Sequence, residues 1–194
     1  MASDVAICNT ALNRLGANTI TSFTENSKEA RLCNSEYSGI RDQVLRAHPW
    51  NCAISRATLA QDSDAPSFGF AYQYTLPTDP YCLRVLQMET EVINFKVEGR
   101  KLLTDEATAK IMYIGRVTDP EEYDSLFIDT LSARIAFEFS FNITGSRTLQ
   151  GDMFDLYNQK LALARSFDAQ ESGMFYNQGD GDKIIADDFI NRRR

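Results

Sequence analysis

The sequence has little of the chemistry on which metal sites and nucleophilic enzymes depend. It contains one histidine, and its four cysteines, Cys8, Cys33, Cys52 and Cys82, form no Cys-x-x-Cys pair. Structural zinc sites need four such ligands, usually at short spacing, so the sequence excludes a zinc site of the usual kind. Isolated cysteines pack like small hydrophobic residues, and we predict that all four are buried, unpaired thiols.

Long hydrophobic runs and an excess of basic residues are also missing. No apolar stretch approaches the roughly 20 residues that a membrane span needs, and no basic-then-apolar signal segment opens the chain. We therefore expect a protein without a membrane span that folds in a cytoplasm. The net charge of −7 disfavours a DNA-binding regulator, because proteins that grip DNA carry clustered lysine and arginine.

Sequence signatures of catalysis are absent or weak. No phosphate-binding glycine loop, serine elbow or dinucleotide fingerprint occurs, and Asp180-Gly181-Asp182 lacks the glycine position and closing glutamate of a calcium loop. Paired carboxylates can hydrolyse glycosides, but Asp105-Glu106 falls in a predicted turn, and the acids of residues 119–122 are explained as a helix cap. We predict no catalytic residue, no cofactor and no metal, so the chain is not expected to be an enzyme.

The chain is long enough for one domain with a sizeable core. It has 194 residues, of which 43% are hydrophobic. Apolar residues at three- and four-residue steps predict two amphipathic helices in the first 50 residues. Ser3 can cap the first and Gly16 can end it. The second begins near Ala30 and must end near His48, because Pro49 forbids its continuation.

The pattern changes to a two-residue period in the middle of the chain, which predicts a small antiparallel sheet. Asp119-Pro120-Glu121-Glu122 then predicts the start of a central helix, and a fourth amphipathic helix covers about Leu149 to Phe167. The predicted fold class is α+β and mainly α, a four-helix bundle with an inserted β-domain and an extended C-terminal tail. Residues 1–172 form one domain, with the bundle at 1–50 and 118–172, the β insertion at about 54–117 and the tail at 173–194.

The motif His48-Pro49-Trp50 holds the only histidine and the only tryptophan of the chain. A catalytic interpretation would pair Cys52 with His48 as its base, but it also needs a third group to orient the histidine. The intervening proline corner does not bring the two side chains together. We predict a structural corner in which burial of the Trp50 ring contributes about 2 to 3 kcal/mol.

The tail combines a glycine-rich hinge with large apolar residues. Gly173, Gly179 and Gly181 precede four of them, Ile184, Ile185, Phe189 and Ile190. Such a segment either folds back onto its own domain or docks on another molecule and loses its conformational entropy there. The sequence favours docking without excluding the fold-back.

Three segments carry a resemblance to a known family: residues 11–60, 68–86 and 113–144. Their most specific stretches are RDQVLRAHPWNCAISRA and AYQYTLPTD. They resemble the tail tubular protein A family, the head-to-tail adaptor of short-tailed bacteriophages, over nearly the whole chain. The resemblance implies a structural virion protein in a ring of twelve copies beneath the portal protein, forming part of the DNA ejection channel. Duplex DNA would pass through without specific binding.

The resemblance also implies partners and site residues. A nozzle protein of the tail tubular protein B type would attach below the ring, and a tail fibre is a further expected partner on its outer face. His48, Pro49 and Trp50 match the corner between bundle and sheet, and the family supplies no catalytic residues. The stretch GDGDKIIADDFINRRR matches the segment that hooks onto the portal, which assigns portal docking to Asp180, Asp182, Ile184, Ile185, Phe189, Ile190, Arg192, Arg193 and Arg194. The expected location is the virion tail, after assembly in the host cytoplasm, and the alternative function is a tail-associated polysaccharide hydrolase with a carboxylate pair.

Overall fold

The computed structural model describes residues 2–89 and 93–176, with backbone alone described for 172–176. The helices are α1 (Asp4–Arg14), α2 (Lys28–Ala47), α3 (Ser125–Thr144) and α4 (Arg147–Tyr176). The strands are β1 (Ile54–Leu59), β2 (Tyr72–Thr75), β3 (Cys82–Met88), β4 (Phe95–Glu98), β5 (Lys101–Thr104) and β6 (Ala109–Gly115). Two short 3-10 turns cover Asn51–Ala53 and Pro120–Glu122.

The predicted four-helix bundle with one small inserted sheet is wrong. The protein has a mixed α+β fold, 49% helical and 21% strand, with two three-stranded antiparallel sheets. The helices do not close into a bundle because α3 packs against α1, α2 and α4, while a sheet covers part of the same core. Strand residues such as Ile114, Leu83 and Leu86 complete the core that the helices form.

Local signals at the ends of the first two helices act as predicted. The Ser3 hydroxyl accepts a hydrogen bond at 3.1 Å from Ala6 N and caps α1 as predicted. Ser27, which is not among the predicted caps, accepts one at 3.1 Å from Ala30 N and caps α2. Gly16 follows α1 with a φ of +67°, a conformation that glycine adopts without steric cost. His48 is extended at the end of α2, as the residue before a proline must be.

The predicted start of the central helix is wrong by several residues. Asp119 accepts a hydrogen bond from Glu121 N, but the capped element is only the 3-10 turn Pro120–Glu122. Tyr123 then returns to an extended conformation, buries its ring and donates its hydroxyl to Val117 O at 2.8 Å. This anchor interrupts the helix, which restarts at Ser125 with Asp124 as its cap.

The six strands form two sheets around a second core. Sheet A has the order β1-β6-β3 and sheet B the order β2-β5-β4, and Asp62 N donates to Gln73 O at 3.0 Å between them. One face of sheet A packs on sheet B through residues such as Ile111, Tyr113 and Leu102. The other face contributes residues such as Ile114 to the helical core. Sheet A therefore lies between the helices and sheet B.

The fourth helix is longer than predicted. The pattern predicts about Leu149 to Phe167, whereas α4 covers Arg147–Tyr176. The predicted portal-docking residues of the 180–194 region lie outside the described residues.

Candidate functional site

The corner after α2 is built around Trp50. The helix ends at Ala47, Pro49 turns the chain, and the Trp50 ring enters the helical core with only 2% of its surface exposed. Its Nε1 donates to Val44 O at 2.9 Å, and its ring packs edge-on against Phe127 at a centroid distance of 5.2 Å. The predicted burial of Trp50 is confirmed.

Helix α4 is tied to this corner through the carboxylate of Asp168. Its Oδ2 lies 3.0 Å from His48 Nε2, and its Oδ1 accepts from Asn51 N at 3.0 Å. Asn51 Nδ2 donates to Asp168 O at 3.0 Å, and Arg165 donates to Ala47 O at 3.1 Å. One short stretch of α4 thus satisfies the polar groups that the end of α2 leaves open. Sequence reasoning missed this contact, because more than 110 residues separate the partners.

The electrostatics of the corner do not provide a nucleophile and its base. Burial lowers the pKa of His48, and the hydrogen bond to Asp168 opposes that shift only in part. Burial also raises the pKa of Cys52 to about 11, so its thiol stays protonated near neutral pH. His48 instead makes a structural contact with the Asp168 carboxylate of α4.

A second joint connects both sheets to α2. The guanidinium groups of Arg100 and Arg116 both stack on the ring of Tyr81, 4.0 Å and 4.4 Å from its centroid. Arg116 also binds the carboxylate of Asp42 on α2 through Nε at 2.8 Å, while Arg100 donates to Cys82 O at 2.8 Å. Cation–π stacking at partly exposed sites is worth about 0.5 to 1 kcal/mol per pair. Nothing in the sequence spacing signals this cluster.

A third joint links three helices through Asp129 on α3. Its carboxylate binds Arg14 of α1 and, at 2.8 Å, Lys160 of α4. Burial acts to raise the pKa of Asp129, but the bonds to Lys160 and Arg14 outweigh it, so the pKa lies below its usual value. The group remains charged at neutral pH and holds α1, α3 and α4 in register.

One cleft contains two carboxylates and is the place to test the hydrolase alternative. It has a volume of about 310 Å³ and is lined by residues that include Ser55, Arg116, Asp119 and Glu122. Asp119 already accepts a hydrogen bond from Glu121 N at 2.9 Å, and both carboxylates are exposed. A glycosidase holds its general acid in an enclosed, apolar setting and its second carboxylate in a polar one, whereas both of these carboxylates face solvent. The other predicted pair is engaged as well, since Asp105 accepts from Ala71 N.

The four cysteines are free thiols, as predicted. Cys8, Cys33 and Cys82 are buried, whereas Cys52 is only half-buried, so the prediction of complete burial is wrong at that position. A hydrogen bond to Cys33 and burial together raise the pKa of the Cys8 thiol. Cys8, Cys33 and Cys82 pack the interior of the protein like small hydrophobic residues.

A metal site or a membrane-spanning helix would each point to a function. Within residues 2–89 and 93–176, no three histidine, cysteine, aspartate or glutamate side chains come together as a metal site. In the same part of the chain, no helix has the length and apolar character to cross a membrane. No model of a known protein family matches the chain, and no curated protein sequence matches it significantly.

Proposed function

We propose that the chain is a structural subunit of the head-to-tail adaptor ring of a short-tailed bacteriophage, without enzymatic activity. The observation that carries the proposal is the resemblance of residues 11–60, 68–86 and 113–144 to the tail tubular protein A family. These segments supply the last turn of α1, all of α2, the corner and β1, then β2 and much of β3, then the end of β6 and all of α3. They therefore include both sides of the joint between helices and sheets.

The internal contacts support a rigid subunit. The three joints at Trp50, Tyr81 and Asp129 engage charged and aromatic side chains between elements that are distant in the sequence. A ring that transmits force between a capsid and a tail needs subunits whose layers do not shift against one another. Networks whose polar groups are satisfied provide such rigidity, and those at Tyr81 and Asp129 are partly buried.

The charge balance supports the role of a conduit. A subunit with a net charge of −7 gives a ring that repels phosphates, so duplex DNA can slide through it. Neutralising several phosphates would instead give tight, salt-dependent binding. The proposed ring has twelve copies joined by a heterologous contact, in which two different faces of the subunit meet.

The proposed partners are the portal protein above the ring, a nozzle protein of the tail tubular protein B type below it, and a tail fibre outside it. Portal docking is assigned to the segment that contains Ile184, Ile185, Phe189 and Ile190. The subunit assembles in the host cytoplasm and resides in the virion tail.

Electron microscopy of the chain mixed with portal rings from the same phage genome tests the proposal. The full chain is expected to add a layer of density to one end of the portal. A chain ending at Tyr176 keeps all four helices and serves as the matched variant, with an unchanged circular-dichroism spectrum and loss of the added layer. Full chain that leaves the portal bare would overturn the proposal.

The alternative, a tail-associated polysaccharide hydrolase, rests on the cleft with Asp119 and Glu122. Incubation with host surface polysaccharide separates the two functions. The adaptor proposal predicts no release of reducing sugar by the chain. Cleavage that disappears in Glu122→Gln, with the fold intact, would establish the hydrolase instead.

A further inference from the structure

One flank of α4 exposes an apolar stripe. Leu156, Leu163 and Phe167 are separated by seven and four residues, which places them on one side of the helix. Leu163 keeps 46% and Phe167 49% of its surface exposed, and Leu156 is half-buried. Tyr157 and Ala164, on the neighbouring face, are buried. A helix flank that faces only solvent normally carries polar residues, so this stripe has the character of a binding surface.

We propose that residues 177–194 of the same chain bind this stripe in the unassembled protein. The segment lies outside the described residues, and its sequence and its point of departure carry the argument. It contains Ile184, Ile185, Phe189 and Ile190, which match the stripe in chemical character. It also begins where α4 ends, at Tyr176, so it is present at high effective concentration beside its target.

The segment is long enough to reach the stripe. Phe167 precedes Tyr176 by nine residues, which is about 14 Å along a helix axis. Ile185 follows Tyr176 by nine residues, which extend to about 30 Å at most. The chain can therefore reverse direction and still place Ile185 against Phe167. Gly179 and Gly181 allow the backbone conformations that a sharp reversal requires.

Charge fixes the same antiparallel register. With Ile185 beside Phe167, an extended chain places Arg192–Arg194 about 23 to 30 Å farther along the helix. Asp155 and Asp152 lie 12 and 15 residues before Phe167, about 18 and 23 Å along the axis, and both are exposed. The three arginines therefore reach the acidic end of the stripe, where opposite charges set register more than affinity.

This contact covers the apolar side chains that are assigned above to portal docking. It is a property of the isolated chain and does not rest on the proposed function. A portal that binds the segment would have to displace it from α4, so the docking residues are shielded until a portal is present.

Limited trypsin digestion of the full chain tests the contact through cleavage after Lys183, followed by intact mass. The double variant Leu163→Glu/Phe167→Glu removes the stripe. Its cleavage after Lys183 is expected to be about tenfold faster or more, because cleavage follows the population of the open form. Phe154→Glu is the matched control: Phe154 is a 44% exposed phenylalanine on the opposite flank of α4, where it packs against Phe137. It should be cut at the wild-type rate.

Two further measurements keep the test decisive. The double variant Phe189→Glu/Ile190→Glu leaves the sequence of α4 unchanged and should also accelerate cleavage after Lys183. It tests the same contact without any risk that the substitutions destabilise α4. The wild-type rate should not depend on protein concentration. Equal rates in the wild type and both double variants would overturn the proposal. So would protection that grows with concentration, because the occupant of the stripe would then be the segment of a second copy.

Discussion

At the scale of single residues, the corner depends on Trp50 and His48. Trp50 fills the junction of α2 and α3, and its one polar atom is satisfied by Val44 O. His48 connects this junction to α4. Pro49 ends α2, and the contacts of Trp50 and His48 keep the last turn of this helix covered.

Replacing Trp50 with alanine should lower the free energy of unfolding by about 3 to 5 kcal/mol, because a large buried ring leaves a cavity. Urea denaturation followed by circular dichroism measures the loss without relying on tryptophan fluorescence. Phe68→Ala is the control, since Phe68 is 88% exposed and should change stability by less than about 0.5 kcal/mol. Similar midpoints for Trp50→Ala and the wild type would show that the corner is not anchored by this ring.

The stability of the protein should also depend on pH through His48. Burial lowers the pKa of this histidine in the folded chain, so the unfolded chain binds a proton first as the pH falls below about 6.5. Stability from this source is present above that pH and is lost as the pH falls through the folded pKa. His48→Asn should show a smaller loss than the wild type between pH 7.5 and 5.5 in urea titrations. Parallel curves would contradict the assignment.

At the scale of elements, α4 is held at several points along its length, by Lys160 to α3 and by Asp168 to the corner. Its start follows a left-handed Gly145, with a φ of +68°, whose backbone N–H donates to Phe141 O and ends α3. The hairpin of α3 and α4 therefore depends on a turn at one end and a polar contact near the other.

Asp168→Ala should cost about 2 to 4 kcal/mol, since it removes the carboxylate acceptor of His48 and Asn51 in a partly buried site. Hydrogen exchange should become faster in the second half of α4 while α3 stays protected. Asn158→Ala, at an exposed position of the same helix, is the control and should leave exchange unchanged. If hydrogen exchange in the second half of α4 is as slow in Asp168→Ala as in the control variant, the contact with the corner does not hold α4 in place.

Two glycines of the α3–α4 hairpin should respond to alanine in opposite directions. Gly145→Ala forces a side chain into the left-handed region and should cost about 1 kcal/mol. Gly151 lies within α4 with nothing within 4 Å of an added Cβ, so Gly151→Ala should stabilise by about 0.5 to 1 kcal/mol. Thermal melts of both variants test the pair, and a shift of the same sign in both would refute the turn geometry.

Sequence patterns predict the parts of the fold that depend on local chemistry. Ser3, Gly16 and Pro49 act within a few residues of their own positions, and each works as predicted. The failure at Asp119 has a tertiary cause, because burial of Tyr123 overrides a good capping sequence. Local sequence signals mark the positions at which a helix can begin or end, and tertiary packing decides which of these positions is used.

At the scale of the whole molecule, the layered arrangement could not be predicted from periodicity. Strands β1 and β6 pair although about 50 residues separate them, and nothing in either strand identifies its partner. Sheet A is apolar on both faces because one packs on helices and the other on sheet B. The alternating pattern of the short strands does not show that they divide into two sheets, so the sequence predicts one small sheet. The joint at Tyr81 was missed for the same reason.

The central claim is that this chain is a building block of an adaptor ring on the portal. The most direct test is the mass of the purified portal ring before and after it is incubated with an excess of the 21.9 kDa chain. The account predicts a discrete gain of twelve chain masses per portal ring, with no discrete gain for the chain that ends at Tyr176. A portal mass that does not change, or that rises without reaching a fixed stoichiometry, would contradict it.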